Sequence, residues 1–127
     1  INALTGQFEF LKEARGKGSM IAVEFKSPDS FSLKAAWMML EAANKGLFCQ
    51  MITIPLFKEH RILTQVAGHG MNVVKLLPPL ILTQKDCDRV ISAFTKTVAD
   101  THQVPGSIWE LGKNLASHAL KAKAGQG

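Results

Sequence analysis

The sequence predicts an α+β domain of two layers, with helices packed on a small, mostly antiparallel sheet. Two observations lead there. Strand-like and helix-like stretches follow one another as β-β-α-β, an irregular stretch, then β-α-α, so they mix without the strict alternation of a doubly wound parallel sheet. The chain has 127 residues, 46% of them hydrophobic and 20% charged, which suits one domain able to bury a core.

The stretch "FEFLKEARGKGSMIAVEF" reads as two strands around a tight connection. Phe8, Phe10 and Leu11 open the first, and Arg15-Gly16-Lys17-Gly18 is the turn, where glycine tolerates positive φ. Met20 to Phe25 forms the second, apolar except for Glu24. The "GKGS" within the turn lacks the spacing and order of a phosphate-binding loop. After the loop "KSPDSF", Leu33, Trp37 and Leu40 recur at helical steps and predict a helix over 32–45, with Gly46 in the C-terminal cap position. "LFCQM" then reads as a short buried strand.

Residues 53–72 carry the weakest pattern: Pro55 and the Gly68-His69-Gly70 cluster interrupt them, and a short helix is expected over 57–66. "VVKLLPPLIL" is a strand stopped by Pro78-Pro79, which cannot donate to a sheet ladder. Thr83 and Asp86 match a capping box with Asp in place of Glu, and a helix over 84–102 carries Cys87, Val90, Ile91, Phe94 and Val98 as an apolar stripe. "HQVPGS" breaks it. Ser107 is expected to cap a last helix reaching Ala122, with Ile108, Leu111, Leu115 and Ala119 turned inward, and residues 123–127 are expected to fray.

Formal net charge is +5 and the pI is near 9.4. The lysines are scattered and no basic run is interleaved with aromatics, so the charge reads as a solvated surface and not as a nucleic-acid footprint. Cys49 and Cys87 match neither a zinc pattern nor a disulfide framework and are expected as reduced thiols in a cytoplasmic protein. No apolar run is long enough to span a bilayer, so no membrane partner is expected. The chain opens on "INALTGQFEF" without Met, which suggests a fragment of a longer protein.

Candidate chemistry is sparse. The four histidines form no H-x-x-x-H pair and have no acidic or Cys partner at ligand spacing, so no metal site is expected. No nucleophile signature is present. His69, between two glycines in a loop, is a candidate ligand contact, although a simple turn also explains it. Lys75 interrupts an apolar strand. Taken alone, it is a sheet residue facing solvent between Val74 and Leu76.

"EARGKGSMIAVEF", the helix ending "ANKGLF", and "VVKLLPPLILTQKDCDRVISAF" occur in one order, and together they resemble the C-terminal small domain of class III pyridoxal-phosphate-dependent aminotransferases, the group of ornithine, acetylornithine and 4-aminobutyrate aminotransferases. The resemblance covers roughly residues 8–100. It implies the small domain of a fold-type I enzyme over residues 1–122, with pyridoxal phosphate, its Schiff-base lysine and its phosphate-binding groups in a large domain that this chain lacks. It implies no catalytic or cofactor-binding residue here, and no bound cofactor or activity for the chain alone. The parent would be a transaminase moving an amino group between an amine or amino acid and a keto acid or aldehyde.

In many relatives the position of Lys75 is Arg, which clamps a carboxylate of the substrate. Lysine holds an anion only as a point charge, without the bidentate fork. The resemblance therefore implies a substrate contact at Lys75, beside the loop candidate His69, with an amine or aldehyde substrate favoured, or a carboxylate held elsewhere. The expected partners are the large domain, the small-molecule substrate and, through the apolar face meant for that domain, a second copy of the chain. Two other readings compete: a free-standing module that binds nucleic acid, and a regulatory domain that takes a small ligand in the Gly68–Gly70 loop.

Overall fold

The computed structural model describes residues 1–18, 20–68, 70–77, 81–103 and 106–125. A 3-10 turn at Asn2–Leu4 precedes β1 (Leu11–Lys17), β2 (Met20–Phe25), α1 (Phe31–Ala43), α2 (Leu47–His60), β3 (Gln65–Val66), β4 (Val73–Leu76), α3 (Gln84–Asp100) and α4 (Ser107–Gly125). The strands form one sheet in the order β1-β2-β4-β3, and every pair is antiparallel. The fold is the expected α+β class, helices on a small antiparallel sheet.

β1 and β2 form the expected hairpin, with Lys17 opposite Met20 and Gly18 at φ 61° in the turn. Phe8 and Phe10 precede β1, which starts at Leu11. The core lies between the sheet and the helices. Phe10, Trp37, Phe48 and Trp109 gather there, with Phe48 lying 4.6 Å from Phe10 and 4.8 Å from Trp37 between ring centroids. Val23, Val74 and Leu76 close it from the sheet.

The main departure from the sequence reading is α2. "LFCQM" is not a strand, and no helix spans 57–66; one helix runs through both stretches as far as His60, with Pro55 inside it. α1 ends at Ala43 with Asn44, not Gly46, in its C-terminal cap, and Gly46 at φ 91° instead opens α2 as its N-cap. Leu47, Phe48, Cys49, Met51, Ile52 and Leu56 are all buried, because α2 is in contact with α1, α3, α4, β3 and β4. A helix covered on most sides needs no polar stripe. A short apolar run of that kind has no period to separate it from a strand.

The capping box of α3 forms as expected, with Thr83 accepting from the Asp86 N–H and Asp86 accepting from the Thr83 N–H. The helix ends at Asp100, two residues before the expected end. α4 continues past Ala122 to Gly125, and its buried positions are Trp109, Gly112 and Ala116. Leu111, Leu115 and Ala119 flank that stripe, half-buried. The Trp109 indole N–H donates to the Thr101 carbonyl at 2.8 Å, which satisfies a C-terminal carbonyl of the α3 end. The side chain of Ile108 and the proline stop at Pro78-Pro79 lie outside the described residues.

Candidate functional site

Lys75 lies in the middle of β4, opposite Ala22 of β2 and Gln65 of β3. Its neighbours Val74 and Leu76 belong to the core, so strand alternation puts Lys75 on the other face of the sheet. That face also carries Arg15, which pairs with Ala22, and Glu13, which pairs with Glu24. Lys75 is half-buried.

Glu24 is the half-buried carboxylate of this face, and it is already engaged. Lys12 Nζ stands 2.8 Å from one of its oxygens and Arg15 Nη1 2.6 Å from the other. Arg15 also meets Glu13 at 2.7 Å. The Lys12 and Arg15 hydrogen bonds hold the Glu24 carboxyl below the usual carboxylate range, against a smaller opposing effect of burial. Among the described residues, no ion pair takes in Lys75. The four-charge cluster satisfies itself and leaves the Lys75 ammonium available to an anion.

His69, the other candidate substrate contact, lies outside the described residues. The other histidines stand elsewhere. His102 is built into the α3 end, His118 is exposed on α4, and His60 ends α2 with a buried, unpartnered Nε2. Among the described residues no group of three or more His, Cys, Asp or Glu could hold a metal. Both cysteines are free. Burial pushes the Cys49 thiol up to about 12, with Glu41 adding to the effect, so it behaves as an apolar core residue and not as a nucleophile. No helix among the described residues is long and apolar enough to cross a membrane.

Sequence reasoning passed over two cations. Arg61, which follows α2 with φ 58°, and Arg89 on α3 come together because Arg89 Nη2 donates to the His60 carbonyl at 2.6 Å. The one signal in the sequence was their type: two arginines in stretches otherwise read for apolar pattern. Their meeting depends on α2 ending at His60, an end the sequence reading did not foresee.

No family model matches the chain. It is similar to the aminotransferase PigE of Serratia sp. (strain ATCC 39006), at 24% identity over an alignment of 127 residues that takes in 76% of this chain. The alignment spans 15% of that aminotransferase, so the likeness relates the chain to a limited part of a much longer protein.

Proposed function

We propose that this chain is the C-terminal small domain of a class III pyridoxal-phosphate-dependent transaminase, and that Lys75 holds the anionic group of its substrate. The observation that carries the proposal is the state of Lys75: a half-buried ammonium on the face of the sheet opposite the core side chains Val74 and Leu76, beside a carboxylate that Lys12 and Arg15 already neutralise. The likeness to an aminotransferase over 76% of the chain supports the same reading. In the intact enzyme this face would cover the active site, in the large domain, and orient an amine, amino acid, keto acid or aldehyde for amino transfer.

Pyridoxal phosphate supplies the imine and electron sink of such chemistry, and it needs a lysine, a carboxylate for its ring nitrogen and donors for its phosphate. Glu24, the half-buried carboxylate of the Lys75 face, is not free to serve the ring nitrogen. Glu24 is committed to two cations, and the nearest basic groups on its strand pair belong to the same cluster. We assign the cofactor to the rest of the parent enzyme, as the resemblance implies, with this chain contributing binding and orientation. A point charge attracts a carboxylate without dictating its angle. The site thus tolerates substrates that an arginine fork would reject, and aldehydes lacking a carboxylate remain admissible.

The test compares Lys75→Gln with the parent sequence in the intact enzyme, using a keto acid and an aldehyde without a carboxylate as acceptors. Loss of one charge-assisted contact is expected to lower kcat/KM for the keto acid on the order of tenfold, with the aldehyde changed less than about twofold. Equal losses on both acceptors, or none, would remove Lys75 from the substrate site. For the chain alone, borohydride treatment after incubation with pyridoxal phosphate is expected to trap no stoichiometric adduct at a single lysine. Such an adduct would overturn the assignment of the cofactor to the rest of the enzyme.

A further inference from the structure

A cavity of about 800 Å³ opens on the helix side of the sheet, between the end of β4 and the first half of α3. Lys75 does not line it. Its walls are apolar: Ile21 and Leu76 from the sheet, Ile62 and Leu63 from the segment after α2, and Val90 and Ile91 from α3. Several of these side chains face solvent. Leu63 is 81% exposed, the adjoining Leu77 57% and Ile91 41%. Soluble domains seldom leave so much apolar surface concave and uncovered without a use for it. The volume lies in the range of small-molecule sites.

Three arginines also line the cavity, and they differ in charge balance. Arg15 is neutralised by Glu13 and Glu24. Arg61 and Arg89 form no ion pair among the described residues. Asp86, the carboxylate that feels Arg89, spends its Oδ2 on the Thr83 cap. Arg89 is steadied by its bond to the His60 carbonyl, its one side-chain bond among the described residues, which places it beside the peptide leading into Arg61. Arg61 is held in the left-handed region at φ 58°, where a side chain other than glycine is disfavoured. The result is an apolar trough with two guanidinium groups that form no ion pair among the described residues, Asp86 acting on Arg89 only from a distance.

We propose that this cavity binds an aliphatic monocarboxylate of medium chain length, its carboxylate between Arg61 and Arg89 and its chain along Leu63, Leu76 and Val90. Guanidinium groups suit a carboxylate by planar, bidentate geometry, and the apolar walls suit a saturated chain. The site is separate from the substrate contact assigned to Lys75 and does not rest on the transaminase reading.

Calorimetric titration of the full-length protein with decanoate tests this. One decanoate per chain is expected to bind with a Kd on the order of 10 μM, and butanoate roughly a thousandfold or more weaker, since each of about six further buried methylenes contributes about fourfold. Decylamine, with the same chain and the opposite charge, is expected to bind at least about tenfold more weakly than decanoate. Arg61→Gly keeps the left-handed backbone and removes the cation, while Arg89→Gln keeps a donor for the His60 carbonyl. Together they are expected to weaken decanoate about tenfold or more and to bring decanoate and decylamine within about threefold of each other. No saturable decanoate binding below about 1 mM would overturn the proposal. So would equal binding of both ligands, or binding indifferent to the double variant. A dimer that Leu63→Glu splits and decanoate leaves intact would give the trough to a second copy and equally defeat the proposal.

Discussion

The backbone N–H of Glu9 donates to Nε2 of His102 at 3.0 Å, joining the entry of β1 to the end of α3. The other ring nitrogen of His102, Nδ1, donates to the Val98 carbonyl at 3.0 Å. The two bonds together require a neutral imidazole with its proton on Nδ1. The Phe8 and Phe10 rings pack against it, at 5.2 and 5.1 Å between centroids. His102→Phe keeps the aromatic packing and removes the acceptor. It is expected to lower stability by about 1–3 kcal/mol in urea unfolding, the cost of stranding the Glu9 N–H. A change below about 0.5 kcal/mol would mean that water replaces the ring nitrogen without loss.

The side chain of Glu9 reaches the other way, into the start of α1. It accepts from the N–H groups of Asp29 and Ser30, at 3.0 and 2.7 Å, and from the Ser30 hydroxyl. The Ser30 hydroxyl bond, then the Ser30 N–H, holds the Glu9 carboxyl below its usual range. A carboxylate lowered on folding stabilises the protein above its unfolded pKa of about 4.3 and loses that contribution as pH falls through the lower folded value. Thermal midpoints are therefore expected to drop below about pH 4.5, and less steeply in Glu9→Gln. Parallel curves for the two proteins would show that the Glu9 carboxylate is not the source. Glu24, lowered by Lys12 and Arg15, contributes with the same sign, and Glu24→Gln should remove its part of the slope.

Where α4 crosses α2, Gly112 faces Met51. A Cβ at position 112 would lie 2.6 Å from the Met51 sulfur, and Met51 is fully buried. Gly112→Ala gains about 1 kcal/mol of helix propensity but costs about 1–3 kcal/mol in overpacking, so a small net loss is expected. Met51→Ala empties the space and should cost about 2–5 kcal/mol. In that background Gly112→Ala is expected to stabilise. A double-mutant cycle by chemical denaturation reads the sign change directly, and additive single effects would contradict the close approach.

These contacts show what the sequence disclosed. α3 was legible because Phe94 and Val98 recur on one face and Thr83 and Asp86 mark its start, all within one local stretch. The β1–β2 hairpin was legible for the same reason, although its turn is tighter than Arg15–Gly18 suggested: Arg15, Gly16 and Lys17 belong to β1, and Gly18 alone of the two glycines stands between the strands. α2 was not, because burial on several sides erased the period that would have named it, and Pro55 mimicked a break. The α4 stripe was read one position off: Leu111 and Leu115 outweigh Gly112 and Ala116 in hydrophobicity, yet close packing against α2 and α1 favours the small residues. Lys75 could be placed on a strand from its neighbours alone. The trough could not, because Ile21, Leu63, Leu76 and Ile91 come from four separate segments.

Thr83 and Asp86 set where α3 begins, and so the phase at which Arg89 meets the end of α2. The Thr83 hydroxyl donates to the Asp86 carboxylate at 2.7 Å while the Thr83 N–H donates to the same oxygen at 3.0 Å. The backbone bond, then the hydroxyl bond, lowers the Asp86 carboxyl. Thr83→Ala is expected to cost about 1 kcal/mol, and Thr83→Ser only a few tenths, since serine caps equally well. The loss should concentrate at the start of the helix. Amide hydrogen exchange is expected to quicken at Asp86 and Cys87 in Thr83→Ala, with Phe94 and Val98 changed only by the global loss of stability. Asp86→Ala in the Thr83→Ala background should then cost less than it does alone, because its partner is already gone. Protection lost evenly along α3 would mean that the helix opens as one unit. The phase of Arg89 would then be set by packing on the core, and the cap would be incidental to the guanidinium pair.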